Sequence, residues 1–174
     1  MMTNQSARSR GPSPRRLGHG NPRPSEEIHD PYRTPRKAKG PARCAECGAT
    51  YRKGHWTWER LLPPPPASLT CPACRRAHDH YPAGQIDVGG TFYVQHADEV
   101  LHAVRNVEKA ENAQHPLHRI MTIRRGAGTL TIETTDIHLP RRIAHALESA
   151  WGGELATHYD EAGYFVRITW ERND

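Results

Sequence analysis

The chain has 174 residues, of which only 36% are hydrophobic, and it contains 15 prolines and 14 glycines. This composition suits one or two small domains and argues against a single large core. The formal net charge of +5 at pH 7 points to a polyanionic partner. No apolar run reaches the roughly 18 residues of a membrane span and no secretory signal is recognised, so a cytoplasmic protein without membrane contact is predicted.

Residues 1–42 are predicted to form a disordered basic arm. Nine basic residues in this segment face three acidic ones, which gives it a net charge of +6. Seven prolines oppose helix formation, and almost no side chain here is suited to burial. Two interpretations stay open: an RNA-binding segment that orders on its partner, or a solvating tail.

The stretch DPYRTPRK at positions 30–37 is the distinctive part of this arm. It places one aromatic ring among several cations, a combination that suits stacking on a base beside a phosphate. The RNA-binding candidates from this stretch are Tyr32, Arg33, Arg36 and Lys37.

Residues 43–95 are predicted to form a zinc-ribbon-like domain. All four cysteines of the chain lie in two Cys-x-x-Cys knuckles separated by 23 residues: Cys44, Cys47, Cys71 and Cys74. The two-residue spacer lets both sulfurs of a knuckle reach one ion, and four thiolates complete a closed tetrahedral site typical of structural Zn²⁺. Disulfides are disfavoured in the cytoplasm, which favours a metal. Iron in a rubredoxin-like site and a redox dithiol are the alternatives.

Cations and aromatic residues follow each knuckle, in the pattern expected for RNA backbone contact and base stacking. The candidates for this role are Arg52, Lys53, Arg75 and Arg76. Trp56 and Trp58 are instead expected to pack against the ribbon as a minimal core. The nearby histidines are interpreted as surface residues rather than as a second metal site: His55, His78 and His80.

Residues 96–114 are predicted to form a connecting helix. Apolar side chains recur at helical spacing at Val100, Leu101, Val104 and Val107, with charges on the other faces. The His-Pro pair at 115–116 is expected to end the helix.

Residues 115–174 are predicted to form a ββαββ domain. HRIMTIRR and TLTIETT indicate two strands joined by a glycine-containing hairpin, and ELATHY and YFVRITWER indicate two more. Between these pairs, a helix with Pro140 in its first turn ends at Gly152. The predicted fold class is therefore α+β, with one helix on a small antiparallel sheet. Arg141 and Arg142 at the helix start are either phosphate contacts or a solvated face.

Catalysis is not expected from this sequence. The chain has no G-x-x-x-x-G-K-[ST] phosphate loop and no G-x-S-x-G nucleophile elbow. Its cysteines are assigned to a metal, and its acidic residues show no paired-carboxylate pattern.

The knuckles, the DPYRTPRK lead-in, DEVLHAVRN and TTDIHLPRRIAHAL together resemble a known family over residues 30–172. The chain is similar to small bacterial zinc-ribbon proteins related to the adaptors that escort large ribosomal subunits in archaea and eukaryotes. The resemblance implies that Cys44, Cys47, Cys71 and Cys74 bind zinc and that the protein associates with ribosomal RNA. The chain departs from the larger adaptors, which carry more knuckles and further domains, in having only four cysteines and far less sequence.

The leading hypothesis is therefore a non-catalytic zinc-ribbon protein that binds RNA, associated with the ribosome or a ribosomal subunit. A zinc-stabilised protein-interaction module or transcriptional cofactor is the second reading, and a rubredoxin-like electron carrier is the third. DNA binding also stays open, because counterion release does not distinguish DNA from RNA.

Overall fold

The computed structural model describes residues 30–32, 40–161 and 163–173. Most of the predicted basic arm lies outside these ranges, and so do the candidates Arg33, Arg36 and Lys37. Within the described chain, three helices and two mixed sheets give the α+β class. No helix among the described residues combines the length and the apolar character needed to cross a membrane.

The first sheet consists of four strands of three residues each. In chain order the strands are β1 (Ala42–Cys44), β2 (Thr50–Arg52), β3 (His55–Thr57) and β4 (Ala67–Leu69). Their order across the sheet is β3-β2-β1-β4. β4 is parallel to β1, and the other pairs are antiparallel. The cluster buried around the cysteines is small and consists of Ala49, Ala73 and three of the cysteines, and Ala42 and Tyr51 are also buried in this sheet. Such a core is too small to stabilise the sheet by apolar burial alone.

Helix α1 (Pro72–Asp79) follows β4 and was not predicted. Its N-cap is Cys71, whose Sγ accepts the backbone N–H of Cys74 at 3.4 Å. Pro72 occupies the first turn, where no intrahelical N–H is needed. The eight-residue length gives no apolar repeat long enough to indicate a helix in sequence. We call residues 40–82, which contain the first sheet and α1, the ribbon unit.

The second sheet has five strands. In chain order they are β5 (Gly84–Gly89), β6 (Ile120–Arg125), β7 (Leu130–Thr134), β8 (Glu154–Tyr159) and β9 (Val166–Glu171). Their order across the sheet is β6-β7-β5-β9-β8. Four of them coincide with predicted strand segments, but the predicted antiparallel ββαββ arrangement needs correction. β5, which lies in the segment assigned to the ribbon, is the central strand and pairs in parallel with β9. We call residues 83–173, which contain the second sheet, the sheet unit.

Helices α2 (Thr91–Gln114) and α3 (Leu139–Trp151) pack against each other and against the apolar side chains of the second sheet. α2 ends where the connecting helix was predicted to end, but it begins five residues earlier and is interrupted at His96 (φ −121°, ψ 28°). The largest side chain in this core is Trp170, which is fully buried and donates its Nε1–H to the carbonyl of Gly152 at 2.9 Å.

Gly90 links β5 to α2 and cannot be replaced without strain. Its φ is +93°, and a Cβ at this position would lie 2.2 Å from the carbonyl oxygen of Arg172. The glycine thus allows the chain to turn from the central strand directly into α2.

Candidate metal centre

The fold brings the four cysteines of the two knuckles together. Cys44 ends β1, Cys47 lies in the following turn, and Cys71 and Cys74 lie at the start of α1. Their sulfurs all lie within 4.8 Å of one another. The Sγ–Sγ distance is 3.8 Å for Cys44–Cys74 and 3.7 Å for Cys47–Cys71, and all four cysteines are free. Metal–sulfur bonds of about 2.3 Å in a tetrahedron place the sulfurs about 3.8 Å apart, so the arrangement fits a four-thiolate metal site.

Backbone geometry holds the knuckles in this position. The N–H of Cys44 bonds the carbonyl of Ala49 at 2.8 Å, and the N–H of Gly48 bonds the carbonyl of Cys44 at 3.1 Å. The N–H of Cys71 donates to the sulfur of Cys44 at 3.3 Å, which ties one knuckle to the other. The Cys71 N–H stabilises negative charge on the Cys44 sulfur that it contacts.

The thiols differ in their readiness to ionise. Burial opposes ionisation of Cys44, but backbone N–H groups of Cys47, Cys71 and Glu46 outweigh it and lower the pKa of Cys44 to about 6. Burial raises the pKa of Cys71 to about 11 and raises that of Cys74 as well. A bound cation favours the deprotonated form of every sulfur, so metal binding here releases protons.

Arg119, which no sequence motif marks as a site residue, contacts three of the four sulfurs. Its Nη2 lies 3.2 Å from the sulfur of Cys71, 3.5 Å from that of Cys74 and 3.7 Å from that of Cys47. Four thiolates around a divalent cation would carry a net charge of −2, which this guanidinium would partly neutralise. No sequence signal distinguishes Arg119 from the other arginines near the predicted strand.

The sheet unit supplies Arg119 and holds it in place. Arg119 precedes β6, and its backbone N–H donates to Thr135 Oγ1 at 3.0 Å. Its carbonyl accepts the backbone N–H of Thr135 at 2.9 Å. Leu117, two residues earlier, packs against the cysteines. The metal centre therefore lies where the ribbon unit meets the sheet unit.

Two of the RNA-binding candidates, Arg75 and Arg76, are already engaged within the protein. Arg76 is 1% exposed, and its Nη2 lies 2.7 Å from Oδ1 of Asp30. Its Nη1 donates to the carbonyl of Tyr81 at 3.1 Å. Arg75 donates from Nη2 to the carbonyl of Tyr32. The guanidinium of Arg76 is thus buried and paired within the protein.

Tyr32 is placed beside these arginines. Its hydroxyl donates to Oδ2 of Asp79 at 2.8 Å, and its ring stacks on Tyr81 with 5.8 Å between centroids. The guanidinium carbon of Arg76 lies 4.3 Å from the centroid of the Tyr32 ring, in a cation–π contact. The segment Asp30–Tyr32 is therefore docked on α1, and we call this contact the arm anchor.

The remaining described candidates are exposed. Arg52 and Lys53 lie at the β2–β3 turn, where Arg52 Nη1 is 3.8 Å from Glu59 Oε1. Arg141 and Arg142 are exposed in the first turns of α3. Arg142 Nε lies 3.4 Å from Oε1 of Glu111 on α2.

The tryptophans and histidines near the knuckles differ in how far they are exposed to solvent. Trp56 is half-buried against the cysteines, as expected of a core residue, and its ring lies 5.4 Å from that of Tyr51. Trp58 is 41% exposed and donates its Nε1–H to the carbonyl of Asn112 at 2.5 Å. The histidines interpreted as surface residues are exposed: His55, His78 and His80.

Charge is distributed unevenly along the chain. Residues 43–82 contain six basic and three acidic residues, whereas residues 83–174 contain nine basic and thirteen acidic ones. The excess positive charge therefore belongs to the basic arm and the ribbon unit, and the sheet unit is acidic.

Comparisons of the chain with protein-family models, with curated proteins and with solved structures find no match. The resemblance to ribosome-associated zinc-ribbon proteins accordingly stays a prediction.

Proposed function

We propose that this protein is a non-catalytic zinc-ribbon protein that binds RNA, on the ribosome or on a ribosomal subunit. In this proposal a structural Zn²⁺ on the four cysteines folds the ribbon unit. The basic arm then supplies most of the attraction to RNA phosphates, and its residues 30–32 are held on the ribbon unit.

Zinc is the proposed metal because all four donors are thiolates and the site is closed. Soft sulfur ligands in a tetrahedron select zinc or iron, and a site with four protein ligands has no open position for catalysis. Structural zinc contributes about 10–16 kcal/mol of binding free energy in small domains. A ribbon unit with as few buried apolar residues as this one needs such a contribution.

The observation that carries the RNA proposal is the arm anchor. Residues 1–42 hold a net charge of +6, and Asp30–Tyr32 of this arm dock on α1 beside the metal centre. Three cations, Arg33, Arg36 and Lys37, follow this docked segment in sequence. Cations that adjoin a folded, positively charged unit in the chain suit backbone contact along RNA. Arg52 and Lys53 add positive charge on the same unit.

The test is the salt dependence of binding to purified ribosomal subunits and to ribosomal RNA. Each phosphate contact contributes about −0.7 to −0.9 to the slope of log K against log salt concentration. A triple variant, Arg33→Ala, Arg36→Ala and Lys37→Ala, should make the slope less steep by about 2. As a matched control, Arg124→Ala with Arg125→Ala removes two exposed cations from the sheet unit and should leave the slope unchanged. Salt-independent binding, or equal slopes for all variants, would contradict the proposal.

A protein-interaction module is the second candidate, because the chain beyond the arm carries no excess positive charge. Residues 43–174 contain fifteen basic and sixteen acidic residues. This candidate predicts an association that survives nuclease treatment and is unaffected by the triple arm variant.

A further inference from the structure

A second group of metal-ligating side chains lies at the end of α2, away from the cysteines. Glu111 and His115 are four residues apart, which places them on the same side of the helix end, and His118 lies in the loop before β6. One ligand atom from each of these three residues lies within 4.8 Å of the other two.

The distances in this group suit a metal ion. Oε2 of Glu111 lies 3.2 Å from Nδ1 of His118. Two ligands that bind one zinc ion tetrahedrally at about 2.0–2.1 Å are about 3.3 Å apart. The rings of His115 and His118 lie 4.6 Å apart between centroids, with 33° between their planes. His115 is exposed, so the group opens to solvent on that side.

Asp136 lies behind His118 and provides an independent observation. Its Oδ1 is 3.7 Å from Nε2 of His118 and accepts the backbone N–H groups of His138 and Leu139 at 2.6 and 2.9 Å. Its Oδ2 is buried and has no hydrogen-bond partner among the described residues. A carboxylate behind the second nitrogen of a histidine is the usual outer partner of a metal-bound imidazole. A buried, incompletely paired carboxylate is costly unless positive charge lies nearby, and a cation on His118 would supply that charge.

We propose that Glu111, His115 and His118 bind a divalent transition-metal ion of the Zn²⁺ type, as a second metal site with Asp136 as its supporting carboxylate. His118 binds through Nδ1, and its Nε2–H faces Asp136. Glu111 binds through Oε2, because Arg142 Nε already lies 3.4 Å from Oε1. With three protein ligands the coordination shell keeps an open position, in contrast to the closed cysteine site. The proposal does not depend on RNA binding.

The experiment is a titration of the full, metal-depleted chain with Co²⁺, followed by its absorption spectrum and by calorimetry. We expect two equivalents of Co²⁺ per chain. One equivalent should show the intense sulfur-to-cobalt charge-transfer band of the four-thiolate site, and the other should show only weaker ligand-field bands. His115→Ala should lower the affinity of the second equivalent at least tenfold and leave the first unchanged. Because His115 is exposed, this substitution does not disturb the core.

Two further variants sharpen the test. His118→Ala should likewise lower the affinity of the second equivalent at least tenfold. The control is His145→Ala, since His145 is an exposed histidine 3.3 Å from one carboxylate, on Glu148, and belongs to no group of three ligands in the described chain. It should retain both equivalents. A wild-type stoichiometry of one, a second equivalent bound with unchanged affinity by both His115→Ala and His118→Ala, or one weakened in His145→Ala would overturn the proposal.

Discussion

Replacing Arg119 by methionine should weaken Zn²⁺ binding roughly 10- to 100-fold, because it removes the cation that contacts three of the four cysteine sulfurs. This loss corresponds to about 1.4–2.7 kcal/mol. A single hydrogen bond to a charged group contributes about 1.5–3 kcal/mol, so the contacts of Arg119 are not expected to add fully. Water can solvate the sulfurs once the guanidinium is gone, which limits the loss.

The assay is competition for Zn²⁺ between the protein and a chromophoric chelator at pH 7.5. Arg119→Lys should fall between wild type and Arg119→Met, because lysine keeps the charge but lacks the planar fork that reaches several sulfurs. Arg124→Met is the matched control, since Arg124 is an exposed arginine of β6 whose partner is Glu133, 2.8 Å away. An affinity of Arg119→Met within twofold of wild type would refute the role assigned to this residue.

Three further predictions concern the fold and the metal. Cys71→Ser should abolish four-sulfur coordination and unfold the ribbon unit, while the second sheet stays folded. Amide NMR spectra measure this, and unchanged signals from the ribbon residues would contradict it. Trp170→Ala should lower the free energy of unfolding by about 3–5 kcal/mol, because it leaves a cavity where a fully buried side chain lay. Urea denaturation measures this, and a loss below about 1 kcal/mol would refute it. Gly90→Ala should destabilise the protein by more than about 1 kcal/mol, because φ is +93° and the new Cβ would clash with the carbonyl oxygen of Arg172. An unchanged urea midpoint would contradict this and would show that the backbone relaxes at this position.

The cysteine cluster and most of the second sheet follow from local sequence patterns. The two-residue spacing of each knuckle already restricts its sulfurs to one ion. Strand β8 occupies the predicted segment ELATHY, and α3 begins beside Pro140 and ends before Gly152, as its proline and glycine indicate. These features depend on cysteine spacing, on hydrophobic periodicity and on the Pro and Gly residues that end helices. All three are visible within short stretches of a single sequence.

The central strand β5 could not be placed from sequence. It has six residues, and its segment GQIDVG falls within residues 43–95, the predicted zinc-ribbon-like domain. Its parallel pairing aligns Gly84 with Val166 and Val88 with Trp170, about 80 residues away along the chain. Local patterns do not encode such long-range pairing, and the expected antiparallel ββαββ sheet therefore lacked its central strand.

Sequence patterns also could not separate buried from exposed arginines. Arg76 follows the second knuckle and looks like a phosphate ligand, but Asp30 and Tyr32 cover it. Arg119 looks like one of several strand arginines, although it faces the sulfurs. In both cases the partner lies more than forty residues away, so only the tertiary fold reveals the contact.

The most direct test of the proposed function is sedimentation of native lysate through sucrose gradients at low and high salt, with and without RNase. Migration of the protein with a ribosomal subunit at low salt, lost at high salt and after RNase treatment, is the predicted result. Recovery only at the top of the gradient at both salt concentrations would contradict ribosome association and would make a protein partner the leading candidate.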